Sequence, residues 1–232
     1  MNIGFILFII IAIVSLIVQF RFKRKFTEYS ETPLRSGFTG RDVAEKMLRD
    51  NGIYDVQIRA VEGSLSDHYN PADRTVNLSP EVYHGRSIAA AAVAAHECGH
   101  AVQHAKAYSW LNLRSAMVPV VKIASNLLQW VFMLGFILLA SGIGYTLLLI
   151  AFGAMIFVTL FSVVTLPVEF DASNRALAWL NTNKGIMQTS VEHSQAKNAL
   201  WWAAMTYVVA ALGSIAQLVY LGLMVFGGRR SD

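Results

Sequence analysis

Cysteine is almost missing from this chain: Cys98 is the only one in 232 residues. A lone thiol excludes an intramolecular disulfide and any Cys-rich zinc finger. Charge is scarce as well, with 15% of residues charged against 55% hydrophobic. A soluble domain carries about 25% charged residues, so this balance speaks against an ordinary soluble protein and for a membrane. Neither an internal repeat nor a low-complexity tract is found. The net charge of +4 comes chiefly from a cluster at residues 21–25, which orientation and contact with anionic lipid explain; nucleic acid is not implied.

Long apolar runs are what the sequence has in abundance. A bilayer core about 30 Å thick requires roughly 20 mainly apolar residues, and four stretches reach that length. Asn2 to Phe20 is uncharged and is followed at once by Arg21, Lys23, Arg24 and Lys25. The basic cluster follows the apolar run and no small-residue cleavage site is evident, so residues 1–20 read as a retained transmembrane anchor. Val118 to Ala140 and Ile143 to Leu166, parted by Ser141-Gly142, read as a transmembrane hairpin (118–166) whose one charge is Lys122. A C-terminal transmembrane helix is expected over 201–226. The cluster after the first span puts Arg21 onward on the cytoplasmic side, although Arg229 and Arg230 argue against an external C-terminus.

Residues 27–115 form the one sizeable polar segment, long enough for a small domain. Thr39 with Asp42 three positions on predicts a capped helix that ends at Asn51-Gly52. Tyr54 to Val61 and Arg74 to Leu78 read as strands, with Asn70-Pro71-Ala72-Asp73 as a turn and Leu65 to Asn70 as a polar loop. Ser79-Pro80 opens a short helix ending near His84-Gly85. From about Ser87 an alanine-rich helix, buried nearly all round, runs to His104.

That helix carries His96-Glu97-Cys98-Gly99-His100, the H-E-x-x-H pattern in the setting it requires. Residues four apart on a helix point the same way, so both imidazoles can hold one zinc, and Glu97, next to the metal but not on it, can act as general base. A catalytic zinc takes a third protein ligand. Candidates are His104, Glu169, Asp171, His193, Glu192, His68 and His84. Glu169 is the best of them, because it stands where the chain re-emerges after the hairpin and a carboxylate at a membrane edge is costly without a use. His104 is too far along the helix to share a metal with His96, since i to i+8 spans about 12 Å. Asp171 could orient a liganding imidazole. Cys98 reads as packing and Gly99 as a point of close approach. His68 or Tyr69 is a candidate oxyanion stabiliser, and the Arg74 to Leu78 strand a candidate edge for an extended substrate.

On Leu65-Ser-Asp-His-Tyr-Asn-Pro71, Val76-Asn-Leu-Ser-Pro-Glu-Val-Tyr83, the helix through His104, and Leu166-Pro-Val-Glu-Phe-Asp-Ala-Ser173, the chain resembles the YugP-like zinc membrane peptidases. It is similar, more distantly, to the HtpX-type membrane proteases. In the latter a downstream Glu-aromatic-x-Ala-Asp segment gives the third ligand, so the resemblance supports Glu169. Ser173 stands where those enzymes carry Asp, which questions one supporting contact and leaves Asp171 as its substitute. The resemblance implies a bacterial cytoplasmic membrane enzyme with its site on the cytoplasmic side.

The expectation is a predominantly α-helical integral membrane protein with about four transmembrane helices and a small α+β, gluzincin-like zinc peptidase domain. A cytoplasmic segment at 167–198 carries the third ligand. One zinc per chain sits on His96, His100 and Glu169, with Glu97 as base, and the reaction is hydrolysis of a protein or peptide substrate. The alternative is a non-catalytic membrane scaffold with a structural zinc, which a fourth protein ligand would favour. A transporter or channel is weakened by spans that contain almost no ionisable groups.

Overall fold

A computed structural model describes residues 3–138 and 143–227. Seven helices and three short strands follow in chain order among them: α1 (Ile3–Ser30), α2 (Gly40–Asp50), β1 (Gln57–Ala60), β2 (His68–Asn70), β3 (Thr75–Leu78), α3 (Pro80–Tyr83), α4 (Ile88–Ala105), α5 (Ser109–Leu138), α6 (Gly144–Thr182) and α7 (Ser190–Gly227). The expected Ser141-Gly142 turn lies outside the described residues. Chain contacts divide the molecule into two compact units. One gathers the described residues of Met1–Ile17, Leu113–Leu166 and Tyr207–Asp232; the other gathers Val18–Asn112 and Pro167–Thr206.

In the first unit α5, α6 and α7 share a core of Ala124, Leu128, Val131, Ala151, Ala154, Met155 and Leu221. The Thr159 hydroxyl donates to the Ser214 carbonyl at 3.2 Å, satisfying a polar group among apolar neighbours. Large side chains point outward instead, among them Leu16 (66% exposed), Ile123 (70%) and Leu223 (63%). Among the described residues, two helices are long and apolar enough to cross a membrane, Gly144–Thr182 and Ser190–Phe226.

The second unit carries the chemistry. Its α2 starts with the expected capping box, in which the Thr39 hydroxyl accepts from the Asp42 N–H and the Asp42 carboxylate accepts from the Thr39 N–H. The helix ends at Asn51, and Gly52 takes φ +72°, a conformation that favours glycine. Val43, Met47 and Leu48 bring α2 onto α4. In α4 the alanines leave little bulk between helices, and Ser87 caps its start by accepting from the Ala90 N–H.

Two strand expectations are corrected. The predicted loop at Leu65 to Asn70 contains a strand, β2, which pairs antiparallel with β3, while β1 pairs with β3 in parallel. The sheet order is therefore β1-β3-β2. The Arg74 to Leu78 strand lies in the middle of the sheet and offers no edge to a substrate. The first predicted strand shortens to Gln57–Ala60, which pair with Thr75–Leu78 of β3, and Val61 adds one further bond to the Leu78 carbonyl. Membrane runs do not end where helices end, either. Backbone hydrogen bonding carries α1 past the basic cluster, and α6 past Pro167 to Thr182.

Candidate metal centre

His96 and His100 are one turn apart on α4, and their rings stand edge to face with centroids 4.8 Å apart. The third member arrives because of Gly99. A Cβ at that position would lie 2.5 Å from the Ala172 carbonyl oxygen, so only glycine lets the α6 backbone run this close to α4. Val168, Ala172 and Ala176, all fully buried, form the stripe by which α6 settles there. One position from that stripe, Glu169 is 2% exposed.

Its Oε2 is 3.3 Å from His96 Nε2 and 3.7 Å from His100 Nε2. Among the described residues, His96, His100 and Glu169 form a group whose ligand atoms all lie within 4.8 Å of one another, able to hold a metal ion. Ligand atoms on a tetrahedral zinc at about 2.0–2.2 Å are roughly 3.4 Å apart, so the spacing fits. The donor set of two imidazoles and a carboxylate suits the same ion. Burial works against the charge on Glu169, but the facing His100 and His96 outweigh it and hold the carboxyl below its usual range.

Glu97 is buried beside this group and accepts a hydrogen bond from the Tyr69 N–H at 3.0 Å. Burial pushes its carboxyl up to about 7; the Glu169 and Asp67 charges push the same way, against His96 and the Tyr69 N–H. Asp67, itself raised by burial, accepts from the Ser79 N–H and hydroxyl at 2.7 and 3.2 Å. The Ser79 side chain thus bonds Asp67 and leaves the start of α3 uncapped.

Both imidazoles of the group have partners on their other nitrogen. Ser173 Oγ is 3.1 Å from His96 Nδ1, so the serine gives that imidazole a partner. Asp171 reaches an imidazole only through Gln103, whose Oε1 is 3.0 Å from His100 Nδ1 and whose Nε2 donates to Asp171 Oδ2 and the Val168 carbonyl, each at 2.8 Å. Sequence reading passed over Gln103. The signal was a polar residue three positions after His100 on a helix otherwise apolar and buried.

The remaining candidates lie outside the group. His104 Nδ1 is 2.7 Å from the Tyr69 hydroxyl. The His68 ring is held by the Ser66 carbonyl at 2.8 Å and Asn77 Nδ2 at 3.3 Å. His84 packs edge-on against Tyr83, and His193 lies in the first turn of α7. Glu192 caps α7, accepting from the N–H groups of Gln188 and Thr189, and also from that of Arg35. Cys98 is buried against the Ala44 carbonyl and its thiol is pushed well up by burial, which makes it inert packing. A surface hollow of about 520 Å³ lined by Ser36, Gly37, Phe38 and polar residues of α2 shares no residue with the group.

Comparison with known proteins agrees with this chemistry. A family model described as "Putative neutral zinc metallopeptidase" matches residues 4–226. The chain is 43% identical over 215 residues to a protein of Bacillus subtilis (strain 168) named "Putative membrane protease YugP", covering 91% of each chain. No solved structure matches.

Proposed function

We propose, from the premise that this chain belongs to that family of zinc metallopeptidases, that it is a membrane-bound zinc endopeptidase. His96 Nε2, His100 Nε2 and the Glu169 carboxylate hold the ion. Zinc bound there supplies a Lewis acid, which lowers the pKa of water and polarises a peptide carbonyl. Glu97 takes the proton from the attacking water and passes it to the leaving amine. A base is most effective with a pKa near the working pH, and burial brings Glu97 to about 7. The single observation that carries this reading is the meeting of His96, His100 and Glu169 within 4.8 Å, with Glu97 buried one position along. Three protein ligands leave a position open for water or substrate, as catalysis requires and a closed structural site does not.

The apolar helices α6 and α7 support residence in a bilayer. We place further spans at the apolar runs of α1 and α5, which makes the protein multi-pass. Arg21, Lys23, Arg24 and Lys25 favour the cytoplasmic side for the catalytic unit.

Zinc content and cleavage of an unfolded model protein, measured on detergent-purified protein, test the assignment. Wild type is expected to hold one zinc and to cleave. Glu97→Gln is expected to keep the ion and lose roughly 10²- to 10⁴-fold in kcat. Glu169→Ala is expected to lose the ion. A wild type that binds zinc tightly while Glu97→Gln changes nothing would make the site a structural staple.

A further inference from the structure

Gln103 is fully buried, one turn beyond His100 on α4. Its Nε2 stands 2.8 Å from the Val168 carbonyl oxygen and 2.8 Å from Asp171 Oδ2. A peptide carbonyl has no hydrogen to give, and the Asp171 oxygen already accepts from Arg175 Nε at 2.5 Å. The amide therefore has one sensible orientation, because flipping it would set its oxygen against two other oxygens. Its Oε1 then faces His100 Nδ1 at 3.0 Å. An amide oxygen only accepts, so Nδ1 carries a ring hydrogen, and Nε2, the nitrogen facing Glu169, is the one left to take a metal.

We infer that Gln103 is a positioning residue that fixes the tautomer and ring orientation of His100, and that Asp171, held by Arg175, in turn fixes the amide. The chain of constraint runs from a guanidinium to a carboxylate, an amide and an imidazole, each link admitting one polarity. His96 is held differently. Its Nδ1 faces the Ser173 hydroxyl, which can donate or accept and so leaves the tautomer open. His100 is thus the ligand set in advance, and His96 the one that adjusts as the ion arrives.

This inference rests on reading His96, His100 and Glu169 as zinc ligands, and its first test does not need the metal. ¹⁵N-histidine spectra of the metal-free full chain in detergent should show a hydrogen on His100 Nδ1. A wild-type His100 that carries its hydrogen on Nε2 alone overturns the proposal without any variant. Gln103→Met, close in length but without polar atoms, should yield a tautomer mixture and weaken Zn²⁺ binding, titrated against a chelator, by roughly 10- to 100-fold. Unchanged affinity and an unchanged tautomer in Gln103→Met would remove any role for Gln103. Unchanged Zn²⁺ affinity in Glu169→Ala would instead strike at the ligand set, while the metal-free tautomer still reports on Gln103.

Discussion

At the scale of single residues, Gly99 matters as much as the ligands it separates, since it sets how closely the helix bearing Glu169 can approach. Gly99→Ala puts a methyl group 2.5 Å from the Ala172 oxygen, and overpacking of this kind costs about 1–3 kcal/mol. Thermal melts should fall and zinc occupancy with them, whereas Gly153→Ala on α6, with nothing within 4 Å, should leave both unchanged. Ser173→Ala removes the partner of His96 Nδ1 and should weaken Zn²⁺ binding by roughly 10- to 100-fold, measured by chelator competition. The contrast between these residues shows what sequence can and cannot say. His96, Glu97 and His100 were legible because their geometry is local, fixed by the pitch of one helix. Gly99 and Glu169 were legible in kind, as a point of close approach and a costly carboxylate. Gln103 and the contact made by Ser173 were not, because hydrogen bonds between α4 and α6 leave no periodic trace in either segment.

At the scale of elements, the capping box of α2 was readable from Thr39 and Asp42 alone, whereas β2 was hidden. Three residues, His68 to Asn70, are too few for alternation to register, and only β3 as partner makes them a strand. The cap yields a pH prediction. Hydrogen bonds from Thr39 lower the Asp42 carboxyl from its ordinary 3.8, against a smaller opposing effect of burial and with help from Arg41 and Arg86. A carboxyl lowered on folding contributes stability above its unfolded pKa and loses it as pH falls through the folded one. Asp42→Ala should therefore lower the melting temperature near pH 6. The gap between its melting temperature and that of wild type should close as pH falls below 3.8. A gap that widens toward acid would mean that Asp42 does not act as this cap.

At the scale of the whole molecule, the lone thiol becomes a tool. Cys98 is buried and its thiol is held in the neutral form, so wild type should resist a membrane-impermeant maleimide. New cysteines at the exposed positions Ser64 and Lys184 should then report the side of the membrane: Ser64→Cys and Lys184→Cys are both expected to label only after cells are permeabilised. Labelling of either in intact cells would put that segment outside and end the cytoplasmic assignment. The spacing of the donors along the chain also imposes an order in time. A ribosome delivers His96 and His100 well before Glu169, and between them it must deliver the whole of α5 and most of the apolar length of α6. A nascent chain that stops short of Glu169 holds two members of the group and lacks the third. On the proposed ligand set, the site is complete only once α5 and the apolar length of α6 have been made, so an unfinished chain would carry no working centre.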